Sequence, residues 1–143
     1  MNYSFKEESA MDLGSLRFLV LWPHKLGMEE CLLDVDFKAG TRHFAARNHL
    51  NEVVACCTMV LESKEIEAEV YGVRLRAMAT HPNIRGKGAG KELLLYAMSK
   101  FKDAKFWCDA REVAVPFYLK CGWNVRSEPY DIPIIGKHFL MSK

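Results

Sequence analysis

Between Tyr71 and Lys102 the apolar period changes from two to about 3.6, and a run of glycines marks the change. In "YGVRLRAMAT" (71–80), Val73, Leu75, Ala77 and Ala79 alternate with Arg74, Arg76, Met78 and Thr80, as in a strand with two unlike faces. His81-Pro82 stops that strand, because proline offers no N–H to a ladder. From about Gly88 to Lys102, Leu94, Ala97, Met98 and Phe101 fall at i, i+3, i+4 and i+7, a helical stripe. Between the two lies "RGKGAG" (85–90). The first N–H groups of a helix lack internal partners and carry partial positive charge. Glycines there let an anion reach the backbone without a Cβ in the way. No strong capping side chain competes, since the cap candidates are Gly and Lys. This strand, loop and helix point to an α/β chain that holds phosphate.

The flanking sequence supplies further elements. "NYSFKE" reads as a short first strand, and Ser9 to Leu21 as a helix with Met11, Leu13, Leu16, Leu19 and Val20 on its apolar stripe. Trp22-Pro23 ends it, and residues 23–40 read as irregular or briefly helical up to Gly40. "TRHFAAR" (41–47) and "EVVACCTMVLE" (52–62) read as strands joined by a turn, the second apolar enough to be buried on both faces. "KFWCD" (105–109) reads as a strand and 112–121 as a helix closed by Gly122, with Pro116 tolerable only in its first turn. "WNVRSE" and "GKHFLMS" complete a β-α-β-β-β-α-β-α-β-β order, a mixed sheet flanked by helices. At 143 residues this is the size of one domain, 1–143.

Three phosphate-binding templates compete for the loop. A triphosphate loop needs G-x-x-x-x-G-K-[ST]; here Arg85 stands at the first glycine and Glu92 replaces the hydroxyl residue. A dinucleotide loop needs G-x-G-x-x-G; Gly86, Gly88 and Gly90 fall one residue short, and no acidic residue ends a following strand near 106. The third template, R/Q-x-x-G-x-G/A, is matched by Arg85, Gly88 and Gly90.

At this loop the sequence resembles the GNAT superfamily of acyl-CoA-dependent N-acyltransferases. "LRAMATHPNIRGKGAGKELL" is similar to that superfamily's strand–loop–helix core, and "AREVAVPFYLKCGW" to its next helix, with Ala114, Tyr118, Gly122 and Trp123 at the marked positions. The close match covers residues 71–123. The resemblance implies an α/β fold with a splayed strand pair, and acetyl-CoA as the cofactor. The amides of Arg85, Gly86, Lys87, Gly88, Ala89 and Gly90 would cradle its pyrophosphate, and Lys87 or Lys91 could reach its 3′-phosphate. Met78, Ala79 and Thr80 would pair with the pantetheine arm, with the Met78 N–H as an oxyanion donor. Tyr118 would protonate the leaving thiolate. Many relatives carry Asn where this chain has Arg111, so Arg111 is a cofactor contact of another kind or a solvated residue at a helix start.

The remaining roles stay open at this level. A general base could be Glu69, His81, Asp109 or a water relay, and for Asp109 the cap of the following helix is favoured. Arg74 and Arg76 share a strand face that would suit an acidic substrate, or simply stand exposed. Trp22 and His24 in "VLWPHK" are candidates for the acceptor wall. The implied reaction is acetyl transfer to a primary amine on a small molecule or peptide. The rivals are a non-catalytic acyl-CoA sensor and a nucleotide-binding protein.

Composition bounds the rest. A net charge of +2 makes no electrostatic case for nucleic acid or a membrane surface. No apolar run reaches about 18 residues, and the N-terminus is too polar for a signal peptide. The five cysteines include no CxxC pair and read as reduced core residues of a cytoplasmic protein, with no metal site. A homodimer is left open.

Overall fold

The computed structural model describes residues 3–143; of the first expected strand, Asn2 lies outside the described residues. The hydrogen-bonded strand order is β1 (Ser4–Glu8), β2 (Arg42–Arg47), β3 (Val53–Ile66), β4 (Glu69–Thr80), β5 (Phe106–Arg111), β8 (Gly136–Ser142) and β6 (Asn124–Val125), with β7 (Tyr130–Ile132) on β8, an eight-stranded mixed sheet. The chain divides into two compact units: residues up to Val60 with Ala77–Lys102, and Leu61–Arg76 with Asp103–Lys143.

In the first unit β1 (Ser4–Glu8) pairs antiparallel with β2 (Arg42–Arg47), and β2 with the start of β3 (Val53–Ile66). Val54 to Val60 are all buried, as a run apolar at every position but Thr58 demands. Helix α1 (Gly14–Val20) follows a 3-10 turn, Ala10–Leu13, so the expected single helix is two pieces. Its buried face is Ala10, Leu13, Leu16 and Arg17, while Met11 and Leu19 are exposed. The 3-10 turn rotates the stripe away from the α-period, because it advances about three residues per turn rather than 3.6. Leu13 and Leu16 pack with Ala45, Cys56 and Ala79, and each such leucine stabilises by about 1.5–3 kcal/mol. Helix α2 (Ala89–Ser99) buries Leu93, Leu94 and Ala97 and stops before Phe101.

Beneath α1 lies an ionic network absent from the sequence reading. Arg17, fully buried, donates to both oxygens of Asp36 (2.7 and 3.0 Å), to the Cys31 carbonyl (3.0 Å) and to Thr58 Oγ1 (2.8 Å). His43 bonds the same Thr58 hydroxyl through Nδ1 (2.9 Å) and the Asp36 carbonyl through Nε2 (3.2 Å). These bonds tie the irregular segment to two strands.

In the second unit the end of β3 turns into β4 (Glu69–Thr80) through Glu67 and Ala68, both at left-handed φ. These strands extend past the expected limits because charged residues on "ESKEIEAE" hid their alternation. β4 pairs in parallel with β5 (Phe106–Arg111) at Val73↔Phe106 and Arg74↔Trp107; beyond that ladder β4 continues to Thr80 and β5 to Arg111. Helix α3 (Val115–Lys120) follows a 3-10 turn at Glu112–Ala114, which places Pro116 in its first turn and removes the conflict. Gly122 leaves it at φ +86°. Strands β6 (Asn124–Val125), β7 (Tyr130–Ile132) and β8 (Gly136–Ser142) close the chain. β7, three residues long, was not expected from the sequence.

Candidate active site

Thr80 ends β4, and the chain then makes a short 3-10 turn at Pro82–Ile84. The His81 N–H donates to the Val54 carbonyl (2.8 Å), and its Nδ1 accepts from the Asn83 N–H (3.1 Å). Arg85 Nε donates back to the Thr80 carbonyl (3.3 Å), so the loop is tied to the strand it leaves. Gly86 and Gly88 sit at φ +79° and +88°, where a Cβ is strained. A Cβ built at either meets nothing within 4 Å. These glycines therefore answer to backbone conformation and to open space in front of the loop.

Among the described residues, no acceptor takes the N–H of Gly86, Gly88, Ala89, Gly90 or Lys91; the helix ladder begins with the Glu92 N–H to the Gly88 carbonyl (3.0 Å). Arg85, Lys87 and Lys91 are exposed around these donors. Free amides and nearby cations fit a pyrophosphate, whose oxygens accept only.

The strand leading to the loop is irregular. Ala77 has φ +52°, a left-handed residue inside β4. It is half-buried, so the expected alternation of Val73, Leu75, Ala77 and Ala79 is broken at Ala77. Met78 and Thr80 are half-buried and Ala79 is buried.

In the second unit Tyr118 is buried and packs its ring against Phe117 (5.2 Å) and Trp123 (5.4 Å). Arg111, the last residue of β5, is half-buried; burial pulls its guanidinium below the usual arginine range, opposed by the Tyr118 hydroxyl.

The base candidates fare poorly. Lys105 hydrogen-bonds Glu69 and holds its carboxyl below the usual range, which weakens it as a base. The Asn83 N–H donates to His81 Nδ1, so that ring nitrogen is already engaged as an acceptor. Asp109 does not cap the next helix: the turn before that helix has Arg111 at its cap position with no side-chain cap bond, and Asp109 accepts from Arg74 (2.6 Å) and from the Tyr130 hydroxyl. Burial first, then that bond, pushes the Tyr130 hydroxyl up.

Arg74 also departs from the substrate role. It bonds Glu62 (3.1 Å) as well as Asp109 and lies 4.7 Å over the Trp107 ring, so its charge is already matched. Lys25 sits over the Trp22 ring at 5.8 Å, and His24 is exposed. Tyr130 and Glu62 carried no local signal, because their partners lie 21 and 12 residues away.

A family model for the acetyltransferase (GNAT) domain matches residues 39–125. The chain belongs to the GNAT acetyltransferase family. It is 31% identical over 141 residues to "Uncharacterized N-acetyltransferase YitI" of Bacillus subtilis (strain 168), covering 96% of this chain and 93% of that protein. Among solved structures, the fold is similar to Escherichia coli ElaA (17% identical, 99% of each chain, TM-score 0.76). It is also similar to an aminoglycoside 6'-N-acetyltransferase complexed with coenzyme A (15% identical, 98% of this chain and 96% of that one, TM-score 0.74). GNAT enzymes use acetyl-CoA, and the free amides and cations at the start of α2 fit its pyrophosphate.

Proposed function

We propose that this GNAT protein transfers the acetyl group of acetyl-CoA to a primary amine by direct attack. Acetyl-CoA, when bound, supplies a thioester activated for acyl transfer. The unpartnered N–H groups of Gly86, Gly88, Ala89, Gly90 and Lys91 are the observation that carries the reading. In it, these amides hold the pyrophosphate, and Arg85, Lys87 and Lys91 add charge. Met78, Ala79 and Thr80 line the pantetheine, and the Met78 N–H, next to the left-handed Ala77, is the oxyanion donor. Tyr118 donates its proton to the departing sulfur as the carbon–sulfur bond breaks. Arg111, half-buried on β5, supports the cofactor in place of an amide side chain. The amine's proton leaves through water, since Glu69, His81 and Asp109 are each committed elsewhere.

The test is thermal unfolding with acetyl-CoA, CoA, NAD and Mg·ATP, each near 100 times a plausible dissociation constant. Binding to the native state then adds about 2.7 kcal/mol, a shift of several degrees. A shift with the CoA species alone, followed by amine-dependent release of free thiol, is the expected result. No shift with either CoA species would remove the reading, and a shift without thiol release would leave a sensor.

A further inference from the structure

Within the first unit a cleft of about 550 Å³ opens between α1 with its preceding turn, the β2–β3 connection and the loop after β4. That volume suits a small molecule. Leu16, Leu19, Val53, Val54 and Ile84 give it apolar surface; Asp12, Glu52 and His81 are among its polar groups. No lysine or arginine lines it. Asp12 accepts from Ser9 Oγ (3.0 Å) and Glu52 from Asn48 Nδ2 (3.0 Å), both neutral donors. Among the described residues neither carboxylate is in an ion pair. Arg47, the cation whose field reaches Asp12, is committed to both oxygens of Glu8 (2.7 and 3.0 Å). The cleft thus offers two uncompensated negative charges beside aliphatic surface, the complement of an alkylammonium chain.

We propose that this cleft binds an aliphatic diamine or polyamine, and that this is the acceptor of the acetyl group. The acceptor role rests on the acetyltransferase reading; the amine-binding role does not. The cleft wall begins at His81, the residue after Thr80, so the amine's reactive end extends back along residues 78–80 to reach the thioester. The attacking nitrogen must be neutral, and a carboxylate beside it would hold it protonated. Asp12 and Glu52 therefore recognise a second ammonium, one that does not react, while the alkyl chain lies over the apolar wall.

The experiment compares 1,4-diaminobutane with n-butylamine. Calorimetric titration into the full chain, with and without CoA, is run on wild type and on Asp12→Asn/Glu52→Gln. Thiol release from acetyl-CoA is followed with both amines. The diamine should bind more tightly than the monoamine, and the double variant should weaken it about tenfold, since each exposed charge pair contributes up to about fivefold. The monoamine and the acetyl-CoA thermal shift should be unmoved, which also reports that the variant folds. Absent diamine binding, or equal affinity in wild type and variant, overturns the proposal. Diamine binding that depends on both carboxylates but yields no thiol release upholds the site and overturns its acceptor role, while the CoA shift separately decides the cofactor reading.

Discussion

Arg17 and Asp36 have no exposed side-chain surface, so their charges are tolerable only together. Burial alone would raise the Asp36 carboxyl, but bonds from Arg17 and the Leu33 N–H outweigh it and hold the group below the usual aspartate range. Its contribution is therefore complete above the unfolded value of about 3.9 and is lost as pH falls through the lower folded value. Asp36→Asn should cost about 3–5 kcal/mol in urea denaturation, because it strands a buried guanidinium. The gap between wild type and variant should narrow below about pH 4, and a gap that stays constant with acid would show that Asp36 is not the linked group. Tyr118 carries the second prediction at this scale. Tyr118→Phe keeps the ring packed on Trp123 and should lower kcat at least about 100-fold with the acetyl-CoA thermal shift retained. Full turnover in the variant would end the acid role.

At the scale of the element, the join of β4 to α2 holds three left-handed residues, Ala77, Gly86 and Gly88. The glycines occupy such φ values at little cost; Ala77 does so at about 1–2 kcal/mol, a strain that must be offset by the packing around it. Gly88→Ala separates folding from binding. The added methyl meets no neighbour, so only φ strain of about 1–2 kcal/mol should appear in the unliganded protein. The same methyl stands in the open space before the loop and should abolish most of the acetyl-CoA thermal shift. An unchanged shift would place the pyrophosphate elsewhere. Element by element, the strand–loop–helix was legible because its periods are clean. The first helix was not, since a 3-10 turn moved its buried face to Arg17, and β7 was too short to show a period.

Across the whole molecule all five cysteines are free and buried. Desolvation pushes the Cys56 thiol up to about 12 and raises Cys57 and Cys108 as well, so none is held as a reactive thiolate. Ellman's reagent should therefore find almost no thiol in the native protein and five after guanidinium denaturation. Rapid native labelling would refute this burial. A silent background also makes the same reagent a clean readout of CoA release.

Local pattern was sufficient for the class of fold, for the glycine loop ahead of α2 and for the inward face of Tyr118, because those depend on residues within one or two turns of each other. It also placed the buried run of β3, where apolar residues leave no solvent face. The charge partners were beyond it. Arg17 meets Asp36 and Thr58, Arg74 meets Glu62 and Asp109, and Tyr130 meets Asp109, each pair brought together only by the paths of the strands. Those meetings removed Asp109 from the helix cap and Arg74 from the substrate, and the pairing of Arg47 with Glu8 left Asp12 without that cation. Hydrophobic period is written along the chain, whereas the balance of a charge depends on what folding puts beside it.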